Sequence, residues 1–234
     1  MKTQRTITTY LLIIAVFTLI GFYKIAGASD WPHWRGPDHN GISNEKNWDP
    51  SKIKDGVKPL WKASVGIGFS TISVSDGRAY TMGNTGTKSK DESKHKDVIF
   101  CFDAQTGKEI WRYAYAQQLD PKYYEGGTLA TPTVDGNRVY TISKDGKVFC
   151  LEAKTGIKIW HKNLAEELSI KRTTWGYSGS PLVIDNMVIY NAGRMGVALN
   201  KNDGDLIWQG SKDSGGYSTA VPFTNNGSKK SITM

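Results

Sequence analysis

Four tryptophans recur along this chain at a nearly constant interval. Trp61, Trp111, Trp160 and Trp208 are separated by 50, 49 and 48 residues. A period of that length marks a structural unit that buries its core only against its neighbours. The segments leading into the last three tryptophans align as "VIFCFDAQTGKEIW", "KVFCLEAKTGIKIW" and "GVALNKNDGDLIW".

Each unit reads as four short strands. In the middle copy "TLATPTVDG" is an apolar-rich strand that turns at Asp135-Gly136, and "RVYTISKDG" closes on the hairpin signal Asp145-Gly146. "KVFCLEAKTG" turns at Thr155-Gly156 into "IKIWHKNL", where alternation puts Trp160 on one face. No unit contains the amphipathic helix that a parallel βαβ repeat requires. The 25 glycines and 8 tryptophans suit many strands joined by tight turns. The expected fold is therefore all-β, a β-propeller of four-stranded antiparallel blades. The first copy carries a polar insertion, "TKSKDESKHKD", that belongs on a loop, and a fourth unit starts at "GGYSTAVPFTNNG". The chain thus holds about three and a half blades, and Trp61 in "PLWKASV" reads as an outer strand for the last blade of a ring. A fragment or truncated reading frame of a longer propeller is expected, with uncovered sheet faces that favour self-association.

Residues 1–28 form a separate segment. Lys2 and Arg5 precede an apolar run from Leu11 to Phe22, followed by Ala26-Gly27-Ala28, the pattern of a secretory signal peptide. The run is short of the roughly 20 residues of a membrane span. Export to the periplasm or outside is expected, with membrane attachment only if this segment is retained. Residues 29–60 are then an N-terminal arm and 61–234 the partial propeller. Removing the segment takes the formal charge from +8 to +5. Lys88, Lys90, Lys94 and Lys96 are interspersed with Asp91, Glu92 and Asp97, a solvated loop and not a nucleic-acid groove.

The set Ala104, Thr106, Gly107, Trp111, repeated as Ala153, Thr155, Gly156, Trp160, resembles the repeat of the pyrroloquinoline quinone (PQQ)-like propellers. The third copy departs, keeping only Gly204 and Trp208. "WPHWRGPDHNG", Trp31 to Gly41, resembles the start of many secreted proteins of that superfamily. The resemblance implies that the Thr-Gly turns and tryptophans dock neighbouring blades. It implies two functions. Some members are dehydrogenases that oxidise alcohols or sugars with PQQ and calcium; others, such as the lipoprotein of the outer-membrane assembly machinery, are scaffolds without cofactor. The vicinal cysteine pair typical of the alcohol dehydrogenases is missing here. No cofactor site is evident, and PQQ and calcium belong to the dehydrogenase alternative alone, with its key residues in further blades.

Single residues point the same way. Cys101 and Cys150 stand ten residues before their tryptophans, where the third copy has Ala198. Matching positions on adjacent blades diverge, so two buried core cysteines are expected, with a disulfide as the alternative. Asp103, Glu152 and Asn200 fall eight residues before each tryptophan and suit local capping of backbone amides. The four histidines show no zinc spacing, and "GYSGS" lacks the strand-to-helix turn of a nucleophile elbow. Loops leading into the inner strands place Lys171, Arg172, Trp175, Tyr177 and Tyr217 as a candidate ligand-facing rim. The expected function is a non-catalytic exported scaffold whose rim takes a protein or polymeric partner.

Overall fold

The computed structural model describes residues 29–46, 49–54, 56–86, 91, 94–121, 124–225 and 228–232. The expected signal segment, 1–28, lies outside the described residues, as does much of the polar insertion.

Twelve strands form three four-stranded antiparallel sheets. The first comprises β1 (Ser73–Ser75), β2 (Arg78–Asn84), β3 (Lys96–Asp103) and β4 (Glu109–Ala116). The second comprises β5 (Thr133–Asp135), β6 (Arg138–Ile142), β7 (Lys147–Glu152) and β8 (Lys158–Asn163), followed by the single-turn helix α1 (Leu164–Glu167). The third comprises β9 (Leu182–Ile184), β10 (Met187–Tyr190), β11 (Arg194–Asn200) and β12 (Leu206–Ser211). A two-stranded ribbon, β13 (Val221–Asn225) and β14 (Ser228–Ile232), comes last. These are three propeller blades and the beginning of a fourth.

Burial follows position in the blade. β7 lies between two sheets, and β3 between the second sheet and the Trp61–Val65 segment, so both are buried on both faces and read as almost continuous apolar runs. β4 alternates, because one of its faces meets solvent. The core is therefore built between blades. One cluster joins Tyr80, Cys101 and Trp111 to Val139 and Leu151 of the second blade; another joins Tyr140, Cys150 and Trp160 to Val188 and Leu199 of the third.

The tryptophan is aimed by a device common to all three blades. Cys101 pairs with Trp111, Cys150 with Trp160 and Ala198 with Trp208, and each pair is followed at once by a register shift. A bulge there raises the local twist of the outer strand and turns the indole toward the next blade. The indole N–H of Trp111 donates to the Ala153 carbonyl at 2.9 Å, and that of Trp160 to Lys201 at 3.2 Å. Tyr80 and Tyr140 donate to the same two carbonyls, and at Lys201 the Arg138 guanidinium adds a third donor at 2.8 Å. Trp61 makes the equivalent bond to Ala104 at 3.0 Å, although residues 57–66 form no strand.

Each receiving turn is held by its own residues. The Asp103 carboxylate accepts the Thr106 N–H at 2.8 Å and its hydroxyl at 2.7 Å, Glu152 accepts the Thr155 hydroxyl, and Asn200 accepts the Asn202 N–H. These bonds hold the Asp103 and Glu152 carboxyls below the usual carboxylate range. Thr106 and Thr155 thus shape the turn, and the glycine receives the neighbour's ring. Gly156 has φ +72, and a Cβ there would stand 2.6 Å from the Trp111 ring. Gly156→Ala is therefore expected to cost roughly 2 kcal/mol or more in urea unfolding. Gly136→Ala, at φ +56 with nothing within 4 Å of the added carbon, is expected to cost only about 1 kcal/mol.

Cys101 and Cys150 are free and buried, and burial pushes both thiols up to about 11. They are packing residues with little thiolate character.

Candidate functional site

The inner strands β1, β5 and β9 lie side by side, and a hydroxyl residue stands two positions before each, Thr71, Thr131 and Ser180. These hydroxyls form a ladder from blade to blade. Thr131 Oγ1 accepts the N–H of Thr71 at 3.2 Å, Ser180 Oγ accepts that of Thr131 at 3.0 Å, and Thr219 Oγ1 accepts that of Ser180 at 2.9 Å. Thr71 and Thr131 also share a hydrogen between their hydroxyls at 2.8 Å. The ladder lines a cavity of about 370 Å³ at the end where the inner strands begin.

The N-terminal arm completes that cavity. Asp30 accepts from the Ser75 hydroxyl and the Asp76 N–H at the far end of β1. Trp31 and Val74 then exchange backbone hydrogen bonds of 2.8 and 2.9 Å along the open inner edge of β1. Pro32 O accepts the Val134 N–H of β5 at 2.8 Å. This path brings Trp34 and Arg35 to the cavity mouth, and a reverse turn follows in which Gly36 packs on the Trp31 ring. Arg35 takes a left-handed conformation at φ +67, with its guanidinium on the Asn40 carbonyl at 3.1 Å. His33 and His39 stack at 4.0 Å beneath the turn. Burial, then the neighbouring imidazole, pushes His39 down to about 4, so that the stack is uncharged at neutral pH.

Aromatic rings surround the mouth. Trp34, Phe69 and Tyr217 line it and remain exposed. Phe69 meets Tyr124 edge-on at 5.5 Å, the Tyr124 hydroxyl donates to the Trp175 carbonyl at 3.1 Å, and the Trp175 N–H donates to the Tyr217 hydroxyl at 3.4 Å.

A charged cluster lies beside this mouth, between the first two blades. Arg172 pairs with Asp120 at 2.9 Å and with Asp145, which also receives Lys144 at 3.0 Å and the Gln117 amide. Burial pushes the Asp145 carboxyl up, but Lys144 and Arg172 outweigh it and hold the group below its ordinary value. Nearby, Asp97 is buried and accepts from Asn84 at 2.9 Å and Tyr115 at 3.3 Å. Burial dominates there and pushes its carboxyl up to about 6.

The five expected rim residues separate. Tyr217 lines the cavity, and Trp175 stands behind it. Arg172 is engaged by its two carboxylates. Lys171 is exposed and does not line the cavity. Tyr177 is a correction: it is 1% exposed and belongs to the core joining the second and third blades, because its backbone N–H is tied to Lys144 and its ring packs under Gly146. Sequence reasoning missed Trp34, Phe69 and the hydroxyl ladder. The one available signal was the serine or threonine standing just before the inner strand in every unit.

A calcium–quinone centre requires clustered oxygen donors. The cavity lining contains no carboxylate, and among the described residues no group of three or more His, Cys, Asp or Glu is placed to hold a metal ion. The described residues do not fit such a centre.

A family model described as outer membrane protein assembly factor BamB matches residues 94–229. No curated protein sequence matches the chain. Among solved structures it is similar to a europium-containing methanol dehydrogenase, with 15% identity and a TM-score of 0.58 over 78% of this chain and 32% of that one. It is also similar to the quinohemoprotein alcohol dehydrogenase of Comamonas testosteroni, with 23% identity and a TM-score of 0.55 over 78% of this chain and 28% of the enzyme. BamB from Moraxella catarrhalis aligns at 17% identity and a TM-score of 0.45, covering 70% and 43% of the two chains. The chain spans about a third of the length of the two dehydrogenases, and at these identities the likeness is one of fold.

Proposed function

The chain belongs to the PQQ_2 family of propellers, described as outer membrane protein assembly factor BamB, and from that premise we propose that it is an exported, non-catalytic binding protein. Its partner, a protein or a polymer, docks at the mouth of the central cavity. The observation that carries this reading is the exposed set of Trp34, Phe69 and Tyr217 around a preformed, hydroxyl-lined cavity. Large rigid aromatics left in solvent around a concave site supply contact area at low entropic cost, the usual composition of a recognition surface. Export rests on the charged, apolar and small-residue order of residues 1–28 and on the outer-membrane role named for the family.

The second reading, a quinoprotein-like dehydrogenase oxidising alcohols or sugars, is favoured by the dehydrogenase folds that the chain resembles. Titrating the full-length protein, with whatever further blades it carries, with PQQ and calcium separates the two. A binding protein is expected to show no calcium-dependent quinone absorbance and no dye-linked oxidation of alcohols or aldoses. Calcium-dependent turnover of either substrate would overturn the reading.

A further inference from the structure

We propose that the cavity mouth takes the end of an acidic glycan, a chain of sugars bearing carboxylates; this rests on the binding-protein reading above. The ladder sets the polarity of the site. Ser180 Oγ and Thr219 Oγ1 each accept a backbone N–H from the adjacent blade, and neither donates to another described residue. A hydroxyl engaged in this way keeps its hydrogen for a ligand, so the cavity presents donors and calls for acceptors. Arg35 adds to this. It is the only charged residue among those lining the cavity, and it pairs with no carboxylate among the described residues. A cationic residue in the same lining as O–H donors favours a carboxylate over a neutral oxygen, because charge-assisted hydrogen bonds are about twice as strong.

The aromatics supply the other half. Trp34, Phe69 and Tyr217 offer flat apolar faces at the rim, which match the C–H faces of pyranose rings while the ring oxygens meet the hydroxyls. A cavity of about 370 Å³ accommodates one or two sugar units, and further units continue into solvent. An extended peptide has less to bind here. Peptides commonly add to an open sheet edge, but the arm already occupies the inner edge of β1 through Trp31, and Pro32 takes the β5 donor of Val134.

The test is calorimetric titration of the protein with a tetrameric oligogalacturonate, a maltotetraose and an extended uncharged peptide. The oligogalacturonate is expected to bind at least about tenfold more tightly than the maltotetraose, with the advantage shrinking as salt is raised. Trp34→Ala is expected to weaken it by about tenfold with melting temperature unchanged. Thr219→Val is expected to weaken it by a similar factor while also lowering the melting temperature, because the Ser180 N–H loses its acceptor. Arg35→Gln is expected to level the acidic and neutral sugars. Equal binding of the two sugars by the unmodified protein, no binding of either, or binding untouched by Trp34→Ala would overturn the proposal. Binding of the peptide alone would overturn it too while leaving the binding-protein reading intact, whereas quinone-dependent oxidation of the sugars would remove that reading itself.

Discussion

Trp160→Ala is expected to lower the unfolding free energy by about 3–5 kcal/mol, and Trp208→Ala by less than about 1 kcal/mol, although both tryptophans occupy the same position of the repeat. The difference lies in what receives the ring. Trp160 is 7% exposed, lies over Gly204 and donates to the Lys201 carbonyl. Its removal opens a cavity between the second and third blades and strips one donor from a carbonyl shared with Tyr140 and Arg138. Trp111, 8% exposed over Gly156, is expected to behave in the same way. Trp208 is 36% exposed, and no described turn meets its ring. Urea unfolding of the three alanine variants, followed by circular dichroism, measures this. Equal losses at Trp160 and Trp208 would show that the indole stabilises its own strand pair and not the blade interface.

That contrast also shows how far the repeat could be read without coordinates. Strand order, hairpin turns and the place of Cys101 and Cys150 in the core all follow from period and alternation, because each is set within a single unit. The identity of Trp's acceptor is set between units, so a motif naming Thr106, Gly107 and Trp111 together hides the fact that the Trp111 ring lands on Gly156. The same limit explains the rim. Tyr177 and Tyr217 sit in similar "GYS" stretches, yet one is core and the other lines the cavity. The deciding contact is the backbone bond from Tyr177 to Lys144, in another loop, and no local pattern encodes it. Trp34 and Arg35 lie some forty residues before the strands they serve, reaching the mouth only because Trp31 pairs with Val74. The ladder of Thr71, Thr131, Ser180 and Thr219 was visible as a recurring hydroxyl, but its outward polarity depends on which N–H each oxygen accepts.

The buried carboxyl of Asp97 is expected to make the fold less stable as pH rises from about 4 to about 6. Asp97 is 1% exposed, and burial outweighs the donors Asn84 and Tyr115, so its carboxyl titrates at about 6 and not at the ordinary 3.8. A folded-state value above the unfolded one means that folding favours the protonated acid. Its stabilising contribution is complete below pH 3.8 and is lost as pH climbs through about 6. The shift corresponds to about 3 kcal/mol of penalty at neutral pH. Asp145 works in the opposite sense. Held below its ordinary value, it contributes above pH 3.8 and loses that contribution as the pH falls. The two slopes oppose each other, so the comparison of variants isolates Asp97. Asp97→Asn keeps the shape, still accepts from Asn84, and carries no charge to bury. The variant is expected to gain about 2–3 kcal/mol at pH 7 and nothing at pH 3.5. Paired urea titrations at the two values decide it. A variant less stable than the parent at pH 7 would mean that the ionised carboxylate is held by its neighbours, with Lys144 the first to examine, since its ammonium lies within electrostatic reach of Asp97.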